Sequence, residues 1–235
     1  MKILGIECCT KACSAALYED GRICASFSIN GTLTHSETLL PIIKSIYEVS
    51  NADLNETDYI AVTIGPGSFT GIRIGLATAK GIAQGGDIPM IGISSLEALC
   101  YNVTHFNGII CPCLDARRAQ VYNALFEFRN GVLFRICDDR ALSVDELKAD
   151  LNNYDKPILL IGDGARLVYD SMEDGTKTVL ARENDIYLRA DSVCLAAANE
   201  TSLCTFRPQN FKDIMPVYLR LSQAEREKQE RNKSK

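Results

Sequence analysis

The chain has 235 residues, 46% of them hydrophobic, which is enough for one large domain or two small ones with a real core. Its net charge of −5 excludes a basic groove that would hold nucleic acid unaided, leaving RNA to be reached through a partner. No apolar run reaches the ~18 to 20 residues of a membrane span, and no signal peptide precedes the first strand; a cytoplasmic location with its ten cysteines reduced is expected.

Residues 2–8, rich in Ile, Leu and Cys, predict a first strand. Residues 12–18 and 22–29 predict two more, the last pair joined by Asp20-Gly21 as a hairpin. Thr34 and Glu37 spell a T-x-x-E capping box that opens a helix running to about Val49, with Pro41 inside it. The stripe Leu39, Ile42, Ile43 and Ile46 is widened by Leu40, Tyr47 and Val49 to roughly half the helix, against the ~100° that core contact needs. Part of this helix is therefore expected to meet another chain.

Residues 59–64 read as a fully buried strand, which leads into GPGSFTGIRIG and a second helix. Gly71, Gly75, Ala79 and Ala83 fall four apart on that helix, a nearly bare ridge along which another backbone can approach. The loop itself has two readings. Gly65 and Gly67 could open a backbone cradle for a phosphate at the helix start, or they could serve a tight turn that needs glycine for its backbone angles alone. The Lys-Ser/Thr of a P-loop is absent and GxGxxG is not met. Residues 88–93 predict a further strand, with Ser94 or Ser95 capping a third helix to about Val103.

The second half repeats this order. Residues 109–114 form a strand ending in Asp115, residues 120–128 and 132–137 pair through Asn130-Gly131, and Ser143-x-x-Glu146 caps a helix as Thr34-x-x-Glu37 did. Residues 157–161 then run into Gly162-Asp163-Gly164, the counterpart of Gly65-Pro66-Gly67. A duplicated β-β-β-α-β-α unit follows, of α/β class, with lobes at 1–103 and 104–221 in tight contact because no Pro/Gly/Ser-rich linker parts them. Glu7 and Asp115 sit at equivalent strand ends and are expected to face a shared cleft, where Arg117 adds a cation. Residues 189–204 predict a closing helix, residues 215–219 cross back over the fold, and residues 222–235 are a polar tail. The tight pairs Cys8-Cys9 and Cys111-Pro112-Cys113 lack zinc spacing and nearby histidines, so they are read as small buried side chains and no metal site is assigned.

The motifs GPGSFTGIRIG at 65–75, LLPII at 39–43, PMIGISSLEAL at 89–99, LDARRAQVY at 114–122 and PVYLR at 216–220 resemble the TsaB (YeaZ) family of tRNA modification proteins, over the chain up to about residue 220. The resemblance implies the actin-like ATPase fold, with ribonuclease H-like lobes. It also implies a role in making N6-threonylcarbamoyladenosine on tRNAs that read codons beginning with adenine. In that family the chain is the non-catalytic partner of a TsaD-like transferase, and a TsaE-like ATPase is the third component. The chain then needs no cofactor of its own, ATP belongs to the complex, tRNA is met only through the complex, and the free protein is a homodimer or a monomer.

The metal-binding histidine pair of TsaD-like proteins has no equivalent here, since His35 and His105 are far apart and HxxxH is missing. Actin-like ATPases place an aspartate and small hydroxyl residues at the first strand end, whereas this chain has Glu7-Cys8-Cys9-Thr10. The family's paired helices imply a contact face of Leu39, Ile43, Ile46 and Tyr47 with Phe69, Ile72, Arg73, Gly75 and Leu76. An ATP-dependent kinase or phosphatase using Glu7 and Asp115 is the alternative, and a glycoprotease-like peptidase is a remote one.

Overall fold

The computed structural model describes residues 1–173 and 177–220, and the polar tail expected at 222–235 lies outside them. Both lobes are built as the repeat predicts. In the first, β1 (Lys2–Glu7), β2 (Cys13–Glu19) and β3 (Arg22–Ile29) form an antiparallel meander, Lys2 facing Glu19 and Cys13 facing Ile29. Helix α1 (His35–Ser50) crosses to β4 (Tyr59–Gly65), parallel to β1, and α2 (Phe69–Gly86) crosses to β5 (Met90–Ser94). The short α3 (Ser95–Cys100) ends in a 3-10 turn, Tyr101–Val103. The second lobe has β6 (Ile109–Asp115), β7 (Gln120–Arg129), β8 (Val132–Ser143), α4 (Val144–Leu151), β9 (Ile158–Ile161), α5 (Ala165–Tyr169), β10 (Thr178–Leu180) and α6 (Ala190–Thr201). The two sheets run β3-β2-β1-β4-β5 and β8-β7-β6-β9-β10, one topology used twice.

Local chemistry accounts for the element ends. Glu37 accepts from the Thr34 amide at 2.9 Å, and Glu146 accepts from the Ser143 amide at 2.8 Å, so both capping boxes form. Asp20 and Asn130 take the left-handed φ that their hairpin turns require. The structure departs from the expected boundaries in β8, which extends to Ser143, and in α5 and β10, which are too short to announce themselves by periodicity.

The layers are helix, sheet, helix, sheet, helix. Helices α1 and α2 cover the outer face of the first sheet through Ile42, Ile46, Ile72 and Leu76 against Leu4 and Ile6. Helices α4 and α5 cover the second sheet through Leu147 and Val168. Between the sheets, α3 and α6 fill a shared core in which Leu96, Leu99, Val193 and Ala197 meet Ile3, Ile110 and Phe126. Each such aliphatic side chain contributes about 1.5 to 3 kcal/mol by leaving water, so the lobes are joined by their own core. β1 is buried on both faces, which is why its sequence barely alternates. Gly5 permits that layering: a Cβ there would lie 2.5 Å from the Cys194 sulfur and 2.6 Å from the Ala190 carbonyl of α6. Among the described residues, no helix is long and apolar enough to cross a membrane.

Candidate functional site: the interlobe cleft and the α1/α2 surface

The C-terminal ends of β1 and β6 open onto one cleft of about 650 Å³. The first lobe lines it with Cys9, Thr10, Lys11, His35 and the turn from Gly67 to Thr70. The second lobe contributes residues 114–117, Tyr122 and Asp163. This is where the open edge of a doubled α/β architecture places a ligand site.

The two strand-end acids are treated differently. Glu7 is 0% exposed and does not line the cleft, contrary to the expectation that it points in. Its Oε1 accepts from the Cys9 amide at 2.5 Å and the Thr10 amide at 3.1 Å, and its Oε2 accepts from the Thr10 hydroxyl at 3.3 Å. The extra methylene of glutamate lets the side chain curl back under its own loop. Burial outweighs those donors and pushes the carboxyl up to about 8. Asp115 does reach the cleft. Its amide donates to Asp163 Oδ1 at 2.9 Å, its Oδ1 accepts from the Arg117 amide at 2.7 Å, and its Oδ2 lies 3.4 Å from Arg117 Nη1.

The turn carrying Arg117 is strained. Arg117, Arg118 and Ala119 have φ of 66°, 58° and 53°, three successive left-handed residues with no glycine among them. Neighbours hold it there: the Ala116 amide donates to Gln120 at 2.9 Å, the Val144 amide to Ala119 at 3.1 Å, and the Arg220 guanidinium to the Ala116 carbonyl. Nothing in the local sequence signals this left-handed run.

The glycine loop makes a tight turn that requires its glycines. Gly65 has φ of 117°, and a Cβ on it would lie 2.5 Å from the Val217 carbonyl; Gly67, at φ 156°, lies against the Cys9 carbonyl. Two of the loop's amides are engaged at home. Ser68 donates to the Cys9 carbonyl at 2.8 Å, and Gly71 donates to the Ser68 hydroxyl at 3.2 Å. Gly67 still lines the cleft, and Gly65 lies beneath the crossing segment, whose Val217 amide donates to Ile64 at 2.8 Å. The Ser68 hydroxyl caps α2, and His35 Nε2 sits 2.9 Å from the Thr10 carbonyl.

The expected contact face needs correction. Leu39, Ile43, Ile46, Ile72 and Leu76 are each at most 5% exposed, and they pack on this chain's own first sheet. Gly75 is buried too, and its ridge receives β1's end: a Cβ on Gly75 would lie 3.2 Å from Cys8 Cβ. The regular i, i+3, i+4 stripe is the one that its own sheet satisfies. Tyr47 is half-buried with its hydroxyl 2.7 Å from Thr57 Oγ1. The large apolar side chains left on the outside of α1 are Leu40 at 55% and Val49 at 65% exposure, and Arg73 is exposed on α2. Half-buried Phe69 stacks on Tyr218 at 4.5 Å and 9°, and Arg73 Nε donates to the Tyr218 hydroxyl at 2.8 Å. Sequence reasoning missed Tyr218, together with Lys11 and Asp163 of the cleft. The fold of the crossing segment brings Tyr218 to α2, and the Gly162-Asp163-Gly164 parallel was the signal available for Asp163.

Two lobes of one βββαβα topology, stacked through a shared helical layer with a cleft at the paired strand ends, define a protein of the actin-like ATPase fold. A solved Pseudomonas aeruginosa protein described as similar to peptidase YeaZ superposes with a TM-score of 0.82 at 23% identity, over 93% of this chain and 99% of that one. The family model described as TsaD, tRNA N6-adenosine threonylcarbamoyltransferase, matches residues 31–228. The tRNA threonylcarbamoyladenosine biosynthesis protein TsaB of Bacillus subtilis is 31% identical over 96% of each chain. The protein of the same name from Escherichia coli is 31% identical over 85% of this chain and 84% of that one. The chain belongs to the TsaB (YeaZ) family.

Proposed function

We propose that this chain takes part in forming N6-threonylcarbamoyladenosine on tRNA, as the non-catalytic subunit that binds and activates a TsaD-like transferase. The supporting observation is the fate of Glu7. The acid that related ATPases present to Mg²⁺ is here wholly buried, bound to its own loop and shifted toward its neutral form. Family membership supplies the reaction, and the exposed Leu40, Val49 and Arg73 supply a surface for the partner. On the same reading a TsaE-like ATPase is the third component and ATP is used there, in the cytoplasm. In the absence of a partner, a second copy of the chain covers that surface.

Reconstitution of tRNA threonylcarbamoylation tests the reading. Activity is expected to fall to background when this chain is omitted, to persist with Glu7→Gln and Asp115→Asn, and to fall with Leu40→Glu in a folded protein. Loss of activity with Asp115→Asn at undiminished complex formation would overturn the non-catalytic role. A second reading, a kinase or phosphatase, is favoured by the size of the cleft and by Lys11 and Arg117 on its walls. Titration calorimetry of the chain alone with Mg²⁺ and ATP separates the two: micromolar binding with turnover supports the enzyme.

A further inference from the structure

Two of the ten cysteines are placed in a way that burial alone does not require. Cys8 follows β1 and Cys13 begins β2; continuing the register that pairs Glu7 with Ser14 makes them direct cross-strand neighbours. Cross-strand Cα atoms lie about 4.5 to 5.5 Å apart, inside the ~4.4 to 6.8 Å that a disulfide spans. Their sulfurs are 3.7 Å apart. The other close pair, Cys111 and Cys113, has sulfurs 3.6 Å apart, but these are residues i and i+2 of one strand, where the backbone holds the Cβ atoms apart.

The two pairs also differ electrostatically. The contact between the two sulfurs lowers the Cys13 thiol and raises the Cys8 thiol, and the Thr38 hydroxyl and His35 act on Cys13 in the same direction. The contact with Cys111, and then burial, push the Cys113 thiol well up. The segment that joins Cys8 to Cys13 carries Cys9, Thr10 and Lys11, which line the cleft, so a small solute entering the cleft meets the loop that closes over the pair.

We propose that Cys8 and Cys13 form a dithiol site that hydrogen peroxide converts reversibly to a disulfide across the mouth of the β1–β2 loop. The Cys13 thiolate attacks one peroxide oxygen, forming a sulfenic acid and releasing hydroxide, which takes up a proton to become water. The Cys8 sulfur then displaces the sulfenic oxygen, and the Cys8 thiol proton leaves with it as a second water. The two thiols lose two electrons in all, peroxide gains them, and a dithiol reductant reverses the change.

The bond's place gives it consequences. Cys8 Cβ is the atom on which the Gly75 ridge of α2 closes, and the Cys8 carbonyl lies against Gly71. Cys13 lies in one core cluster with Leu39, Ile42 and Ile43 of α1. Drawing the sulfurs together therefore moves the two residues on which α1 and α2 both rest.

The test uses the full chain carrying Cys204→Ser, because Cys204 is the exposed thiol of the ten. After dilute peroxide and denaturation, titratable thiols are expected to fall from nine to seven and to return with dithiothreitol. Lys11 lies between the two cysteines, so trypsin should release residues 3–11 linked to residues 12–22. Adding Cys8→Ser or Cys13→Ser should abolish that link, while Cys9→Ser should leave it. Circular dichroism establishes that each variant is folded; with either partner lost to misfolding, the linked peptide in the parent and its persistence in Cys9→Ser still decide. Nine thiols retained under conditions that oxidise Cys204 in the unmodified chain, or a link that maps to Cys9 or to Cys111 with Cys113, overturns the proposal.

Discussion

Replacing Glu7 by Gln should make the protein more stable at alkaline pH and change little at pH 5. The carboxyl is 0% exposed and its folded value is pushed up from 4.5 to about 8 by burial. A carboxyl raised on folding binds its proton more tightly in the folded state. Its contribution is fully present below the unfolded value and is lost as pH rises toward the folded one. At roughly 1.4 kcal/mol per tenfold, the loss between pH 5 and pH 8 is about 3 kcal/mol. Glutamine is the uncharged isostere: its oxygen can accept from the Cys9 and Thr10 amides as Oε1 does now, and its NH₂ can donate to the Thr10 hydroxyl. For a chain of this size about 3 kcal/mol corresponds to a difference of roughly 6 to 12 °C in Tm. The assay is thermal or urea unfolding of both proteins at pH 5 and pH 8. Glu200, raised to about 7 by its own burial, tilts stability the same way but is present in both proteins and cancels in the difference. A difference between wild type and variant that is equal at the two pH values would refute the reasoning, because Glu7 would then be ionised in the folded protein throughout.

Further outcomes follow from the helices and the lobe junction. Gly71→Ala places a Cβ on the Cys8 carbonyl and should cost several kcal/mol, whereas Gly81→Ala, exposed on the same helix with nothing within 4 Å, should raise stability by about 0.5 to 1 kcal/mol; urea midpoints of the two variants check this. Gly75→Leu should overpack against Cys8, so its loss of Tm is expected with the chain alone and no partner present. Arg135 bridges Glu97 of α3 at 3.0 Å and Asp139 of β8 at 2.5 Å, and Arg135→Ala should cost about 1 to 3 kcal/mol by urea unfolding at low salt. Leu40→Glu should leave urea stability within about 0.5 kcal/mol, because the side chain is 55% exposed, while weakening self-association or partner binding measured by analytical ultracentrifugation.

The duplication was legible because its markers are local. Asp20-Gly21 and Asn130-Gly131 encode hairpins, and Thr34-x-x-Glu37 and Ser143-x-x-Glu146 encode helix starts; each works through a few neighbouring atoms, so it reads the same in a sequence as in a fold. What faces what was less legible. The stripe Leu39, Ile43 and Ile46 is as good for a partner as for the chain's own sheet, and only the placement of β2 and β3 beneath α1 decides for the sheet. The exposed Leu40 and Val49 were the better signal, since they fall off the regular stripe. Glu7 could be located at a strand end but not aimed, because its direction depends on where the Cys9 and Thr10 amides turn. The left-handed run from Arg117 to Ala119 is imposed by contacts as distant as Arg220.

Duplicated lobes of one topology end their first strands in the same way and have diverged by one methylene. Asp115 is too short to cap both amides of its loop; it binds the Arg117 amide and borrows Asp163 of the neighbouring loop to hold its own N–H. It therefore stays at the cleft wall. Glu7 is long enough to take the Cys9 and Thr10 amides together, and so leaves the cleft wall for the core beneath it. A pair of acids facing each other would repel in the unliganded protein and call for a cation between them. With Glu7 buried and nearer neutral, that repulsion is relieved. In the first lobe the strand-end acid has become part of the scaffold that holds Cys8 and Cys9 against α2 and the turn that launches it.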